Sequence, residues 1–209
     1  PSKGLIAQAR QVEGIDLNVI IRPRGGDFLY DEYEAACMIE DIRTCKQLGA
    51  DGVVIGALTA DGDIDTALCS RLVAAAGGMS VTFHRAFDMC RNPQKALEDI
   101  IAMGCHRLLT SGQAATANEG IPLIKELVQQ ACGRIIIMPG CGVSSHNAAG
   151  ILQATGAVEI HASARKSVPS GMMFRHSGVS MGSPHSDEYA RKETSEAEVK
   201  SIVSSIAVK

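Results

Sequence analysis

A chain of 209 residues with 45% hydrophobic content is sized for one folded domain with a substantial core. Its formal charge of −3, with no Lys/Arg cluster on any one segment, excludes the basic field that nucleic-acid binding needs. No apolar stretch approaches a membrane span, no signal-peptide pattern opens the chain, and the seven scattered cysteines, without a CxxC, read as reduced thiols of a cytoplasmic protein.

The chain opens on a helical pattern, "SKGLIAQARQVEG". Strand-like runs follow as "LNVIIR" (17–22), "GVVIGAL" (52–58), "SVTFH" (80–84), "HRLLT" (106–110), "RIIIMPG" (134–140) and "AVEIHAS" (157–163). Helical patterns lie between them at 31–48, 65–76, 93–103, 119–131 and 145–155. Pro93 stands early in one of these, and Gly49 and Gly104 lie just past two helix ends. An irregular stretch at 166–193 precedes a last helix. The continuous Val/Ile runs predict parallel strands buried on both faces, linked by helices. An open Rossmann sheet would carry GxGxxG after its first strand, and none occurs. Every run instead ends in polar or glycine-rich residues at one pole, as in a (β/α)8 barrel. The expectation is a single α/β TIM-type barrel domain over 1–209. Six strand runs and a short chain make that barrel incomplete, with an open gap, and we expect its beginning to be missing.

Strand C-termini are where a barrel places its chemistry. Arg22 and Arg24 flank Pro23 and precede Gly25-Gly26, a pattern suited to holding an anion, and Asp27 can orient an arginine or act as a carboxylate itself. After the second run come Thr59, Asp61, Asp63 and Asp65; Asp65 is read as a helix N-cap. "TFHRAFD" is the densest cluster: His84 is a candidate acid, base or ligand, with Arg85 and Asp88 beside it. Ser111 and Gly112 of "LTSG", then Gly140 and Gly142 before a helix starting near Ser144, are candidate anion-binding groups. The last run adds Glu159, His161, Ser163 and Arg165. Glu159 is a candidate proton carrier, and Ser163 and Arg165 are candidate anion contacts.

With those strings in order, "IIRPRGGDFLY", "GALTADGDID", "VTFHRAFD", "LLTSG", "IMPGCGV" and "EIHASAR", the chain resembles the CutC family, named for copper homeostasis. The resemblance implies a TIM barrel, a cytoplasmic or nuclear home, self-association into a homo-oligomer, and Cu(I) as cargo. It also implies that the six runs are the third to eighth strands. Family members begin with strands reading like "EVCV" and "RIELC", whose cysteines have no counterpart here. Soft sulfur for Cu(I) then comes from Cys141, which stands where members often carry Gly, from Cys90, and from Met138, Met172, Met173 and Met181. Two functions stay open. One is copper binding. The other is an enzyme acting on a small anionic or phosphorylated substrate, with Arg22 and Arg24 as its clamp, since arginines are not Cu(I) ligands.

Overall fold

Short Val/Ile segments alternate with amphipathic helices, and the chain winds accordingly. The computed structural model describes residues 1–176, 178–179 and 187–207. Helix α1 (Lys3–Ala9) leads into β1 (Asn18–Ile20), α2 (Glu32–Gln47), β2 (Gly52–Ile55), α3 (Thr66–Ala76) and β3 (Ser80–Phe83). A 3-10 helix (Arg85–Met89), α4 (Pro93–Ala102), β4 (Arg107–Thr110), α5 (Ile121–Ala131), β5 (Ile136–Pro139) and α6 (Ala148–Thr155) follow. The five strands pair in chain order, all parallel.

Local chemistry sets the helix ends. Asp65 caps α3, its carboxylate accepting from Leu68 N–H at 2.9 Å, as expected. Asp31 and Glu34 form a reciprocal capping box on α2. Pro93 opens α4, where a missing N–H removes nothing.

Side chains alternate across the sheet, and burial follows that alternation. Val53, Ile55, Val81, Phe83, Leu108 and Ile137 are buried on the helix-covered face. Their neighbours Ile20, Val54, Leu109 and Met138 remain partly or largely exposed. That second face is a barrel lumen left open: β1 has no strand on its outer side among the described residues, and Ile20 is 48% exposed.

Two expectations need correction. The run 157–163 is no strand; it touches β5 through one parallel bridge, Gly140 to His161, with His161 N–H donating to Pro139 O at 2.8 Å. Among the described residues no further strand holds its other side, and Ala164 at φ 44° turns the chain out of extended form. The stretch 166–193 begins and ends regularly. β6 (Arg165–Pro169) pairs antiparallel with β7 (Ala190–Thr194), ahead of α7 (Glu196–Ala207). This hairpin is largely polar and exposed, so it carries no hydrophobic alternation to read.

Candidate functional site

The candidates at strand C-termini separate into distinct settings. In the first loop, Arg24 is fully engaged. Its guanidinium donates to Glu34, to Asp27 Oδ1 at 2.9 Å and to Leu29 O at 2.7 Å, and it stacks over Tyr30. Those bonds hold Asp27 below the usual carboxylate range, the Arg24 hydrogen bond first and the Leu29 N–H second. Arg24 and Asp27 therefore fasten the loop to α2; they are not an anion clamp. Arg22 differs. It donates to Gly26 O at 2.7 Å, lies over Phe28 at 4.6 Å, and has no carboxylate partner among the described residues.

His84 is buried, with Nδ1 accepting from Ala86 N–H at 3.1 Å. Its neutral ring then carries the proton on Nε2, which has no hydrogen-bond partner. Burial pushes the pKa down to about 4, aided by the nearby Arg22 charge. Gly56 is required beside it, because a Cβ there would stand 2.5 Å from the imidazole.

Asp88 is the hub of the next strand ends. Its carboxylate accepts from Arg85 Nε at 2.7 Å, Ser111 N–H at 3.0 Å, Thr110 Oγ1 at 2.5 Å and Gln113 N–H at 3.2 Å. The turn after β4 is thus an anion nest, and its anion is the chain's own Asp88. Ser111 is fully buried there, and an added Cβ on Gly112 would run into Gly120 O. Neither is open to a ligand, so the anion-binding assignment of Ser111 and Gly112 is corrected. The glycine loop before α6 is filled in the same way. Gly140 N–H donates to Thr110 O at 2.9 Å, and the helix begins at Ala148 rather than near Ser144. Ser144 N–H donates to Asn147 Oδ1, while Ser145 N–H and Oγ donate to Glu198 of α7 at 2.9 and 3.2 Å. Asn147 Nδ2 donates to Gly142 O at 2.9 Å, so that loop is a braced turn.

Glu159 is also corrected. Arg107 grips both its oxygens, at 2.6 and 3.0 Å, and reaches Ser80 Oγ at 2.9 Å. Ser80 and Arg107 begin their strands, so this pair braces the lumen below the mouth, away from the catalytic role read for Glu159. The charged residue at one alternation step from Leu109 was the available sequence signal for Arg107.

What does converge is a recess of about 240 Å³ lined by Arg85, Leu109, Cys141, Gly142, Val143, His161, Ala162 and Ser163. Arg85 Nε and Nη2 are held by Asp88 and Ser111, and its Nη1 has no acceptor among the described residues. Cys141 sits at φ 86°, a conformation unfavourable for any side chain, with Sγ 3.2 Å from Ala115 O. Enclosure by the strand ends, then Arg165, lowers the His161 pKa. Arg165 itself starts β6 and is exposed. Cys90 lies elsewhere, buried beside Gln113, its thiol pushed up to about 11 by burial. Met172 and Met173 are exposed, and Met181 lies outside the described residues. Among the described residues no three His, Cys, Asp or Glu side chains cluster as a metal cage.

Comparison with known proteins places this geometry. The model of the CutC family matches residues 1–166. A CutC family protein of Chromobacterium violaceum is 55% identical over 97% of this chain and 82% of its own length. The mouse protein called copper homeostasis protein cutC homolog is 50% identical over 97% of this chain and 75% of its own. Among solved structures, CutC from Streptococcus agalactiae aligns with TM-score 0.75 and 39% identity, covering 77% of this chain and 80% of that one. An aldolase aligns with TM-score 0.62 at 16% identity, a likeness of fold alone.

Proposed function

The chain belongs to the CutC family of copper homeostasis proteins, and from that premise we propose that it binds Cu(I) as cargo at the recess shared by Cys141 and His161. The observation that carries the reading is the meeting of one thiol and one imidazole on a single open recess, the two side-chain types that suit Cu(I). The strain at Cys141 fits a residue retained for its sulfur. Localisation in the cytoplasm or nucleus is supported by seven cysteines that are all free thiols.

Anaerobic Cu(I) titration against a chromogenic chelator tests this. Cys141→Ser and His161→Ala should each weaken binding at least about ten-fold, and Cys90→Ser should not change it. Undiminished affinity in Cys141→Ser would remove the site. Cys141→Gly gives a second check. It should lose copper while raising the melting temperature by about 2–4 °C, since relief of a left-handed side-chain conformation is worth about 1 kcal/mol.

A second reading, an enzyme acting on a small anionic substrate, is favoured by Arg85, which lines the same recess as Ser163 and His161 and whose Nη1 has no acceptor among the described residues. It predicts that phosphate competes with Cu(I) there, and Arg85→Gln would abolish that competition.

A further inference from the structure

Buried polar atoms almost always find partners, because an unmade hydrogen bond costs about 1–3 kcal/mol. Among the described residues two buried side-chain atoms lack one, Tyr30 Oη and His84 Nε2, and they flank the same arginine. The Phe28 ring has the Arg22 guanidinium at 4.6 Å and the His84 ring at 5.2 Å. Burial raises the Tyr30 pKa and the adjacent Arg22 opposes that rise, so the two groups are neighbours although no hydrogen-bond geometry joins them. The result is a guanidinium, a hydroxyl and an imidazole N–H, all able to donate, with the Tyr30 oxygen the one acceptor among the three groups. Carboxylates do come near: Asp27 and Glu34 belong to the same loop and helix, but both are bonded to Arg24. Against Phe28 lies a recess of about 520 Å³, lined mainly by apolar groups, Leu29, Leu58, Ala60 and Met89 among them, with Asp27 and Thr59 as its polar side chains. That volume suits a small organic molecule.

We infer that Arg22, Tyr30 and His84 form a binding site for the oxyanion head of a small molecule whose apolar body occupies the recess beside Phe28. The site is separate from the Cys141–His161 recess and needs no metal. Phe28 lines the recess and packs against both Arg22 and His84, so the inference requires its ring to move for the head to reach the donors; Gly26, at φ 83°, lies two residues away. A carboxylate and a phosphate group share this donor pattern, and the partner is defined by that shared chemistry.

The test uses copper-free protein, so a failed copper site leaves it intact. Inorganic phosphate, acetate and hexanoate are titrated by calorimetry while the 15N resonance of His84 Nε2 is followed. Saturable binding of phosphate or of hexanoate, with a His84 shift at the same midpoint, is expected. Preference for phosphate marks a phosphorylated ligand; hexanoate binding tighter than acetate marks a carboxylate with an apolar tail. Arg22→Gln should weaken binding at least ten-fold, Tyr30→Phe by about three-fold or more, and Phe28→Ala should tighten it by removing the plug. No saturable binding of any probe to the parent chain, or affinity unchanged in both Arg22→Gln and Tyr30→Phe, overturns the inference. The His84 resonance in the parent chain answers the question even if a variant fails to fold.

Discussion

Asp88→Ala should melt roughly 6–20 °C below the parent chain, the conversion of about 3–5 kcal/mol for a chain of this size. The carboxylate is only 6% exposed at its side chain, so the bonds it makes are shielded from water. Its loss leaves Arg85 Nε, the N–H groups of Ser111 and Gln113, and the Thr110 hydroxyl without their acceptor, in a turn that cannot easily refill. Removing one member of a buried charged network is far more costly than its net worth suggests, because the remaining groups stay desolvated. Against a typical total of about 5–15 kcal/mol, this is a large fraction of the fold. Asp88→Asn should sit between, since one amide oxygen can still accept but the amino group cannot. Thermal unfolding followed by circular dichroism measures both; a shift of under about 2 °C in Asp88→Ala would show that the nest is held by its own backbone. The same variant should release Arg85 into the recess, so copper and phosphate binding are best measured separately from stability.

Stability should fall by about 2 kcal/mol as pH drops from 6.5 to 5, and by about 3 kcal/mol on reaching pH 4. His84 has a folded pKa of about 4, whereas a histidine in the unfolded chain titrates near 6.5. Between those values the unfolded state binds the proton and the folded state does not. Acid therefore favours unfolding, and stability rises with pH through this window and levels off above it. A tenfold difference in proton affinity between the folded and unfolded chain is worth about 1.4 kcal/mol, which sets the size of the fall. His161, its pKa also lowered by enclosure, adds in the same direction. Carboxylates with depressed values, Asp51, Asp63 and Glu98 among them, act lower: their stabilisation is complete above their unfolded pKa and is lost only as pH falls further. The interval from 6.5 to 5 thus isolates the histidines. Urea unfolding at pH 7, 6 and 5 should show the slope in the parent and a markedly flatter one in His84→Gln. Equal slopes in the two chains would place the acid sensitivity elsewhere.

Much was legible from residue order alone. Val/Ile runs separated by capped helices specify parallel strands linked through α-helices, because a strand buried on both faces must be apolar throughout and each helix end needs a partner for its free N–H groups. That settled five of the six expected strands and the Asp65 cap. The strings around Arg22, His84 and His161 were enough to indicate the family. One turn did become a nest: the "LTSG" turn closes on a carboxylate, Asp88, while the "PGCGVSS" loop is a braced turn.

Which anion fills each nest was not readable, because that depends on atoms far apart in the chain. Asp88 meets Ser111 and Gln113 from 23 and 25 residues away, and Glu198 meets Ser145 from 53 residues away. Arg107 takes Glu159 across 52 residues, withdrawing a carboxylate that strand-end position alone had assigned to the mouth. Arg24 and Arg22 look equivalent around Pro23, yet the packing of α2 supplies Glu34 to one and leaves the other with no carboxylate. The run at 157–163 has strand character in sequence but lacks a neighbour on one side, and hydrogen-bond ladders belong to pairs of strands, not to single ones. Periodicity and capping act within a few residues, so the sequence determined elements, order and the polar pole. Ion pairing and burial act across the whole fold, so only the tertiary structure decided which of those polar groups brace the barrel and which, Arg22, His84, Cys141 and His161, enter no ion pair among the described residues.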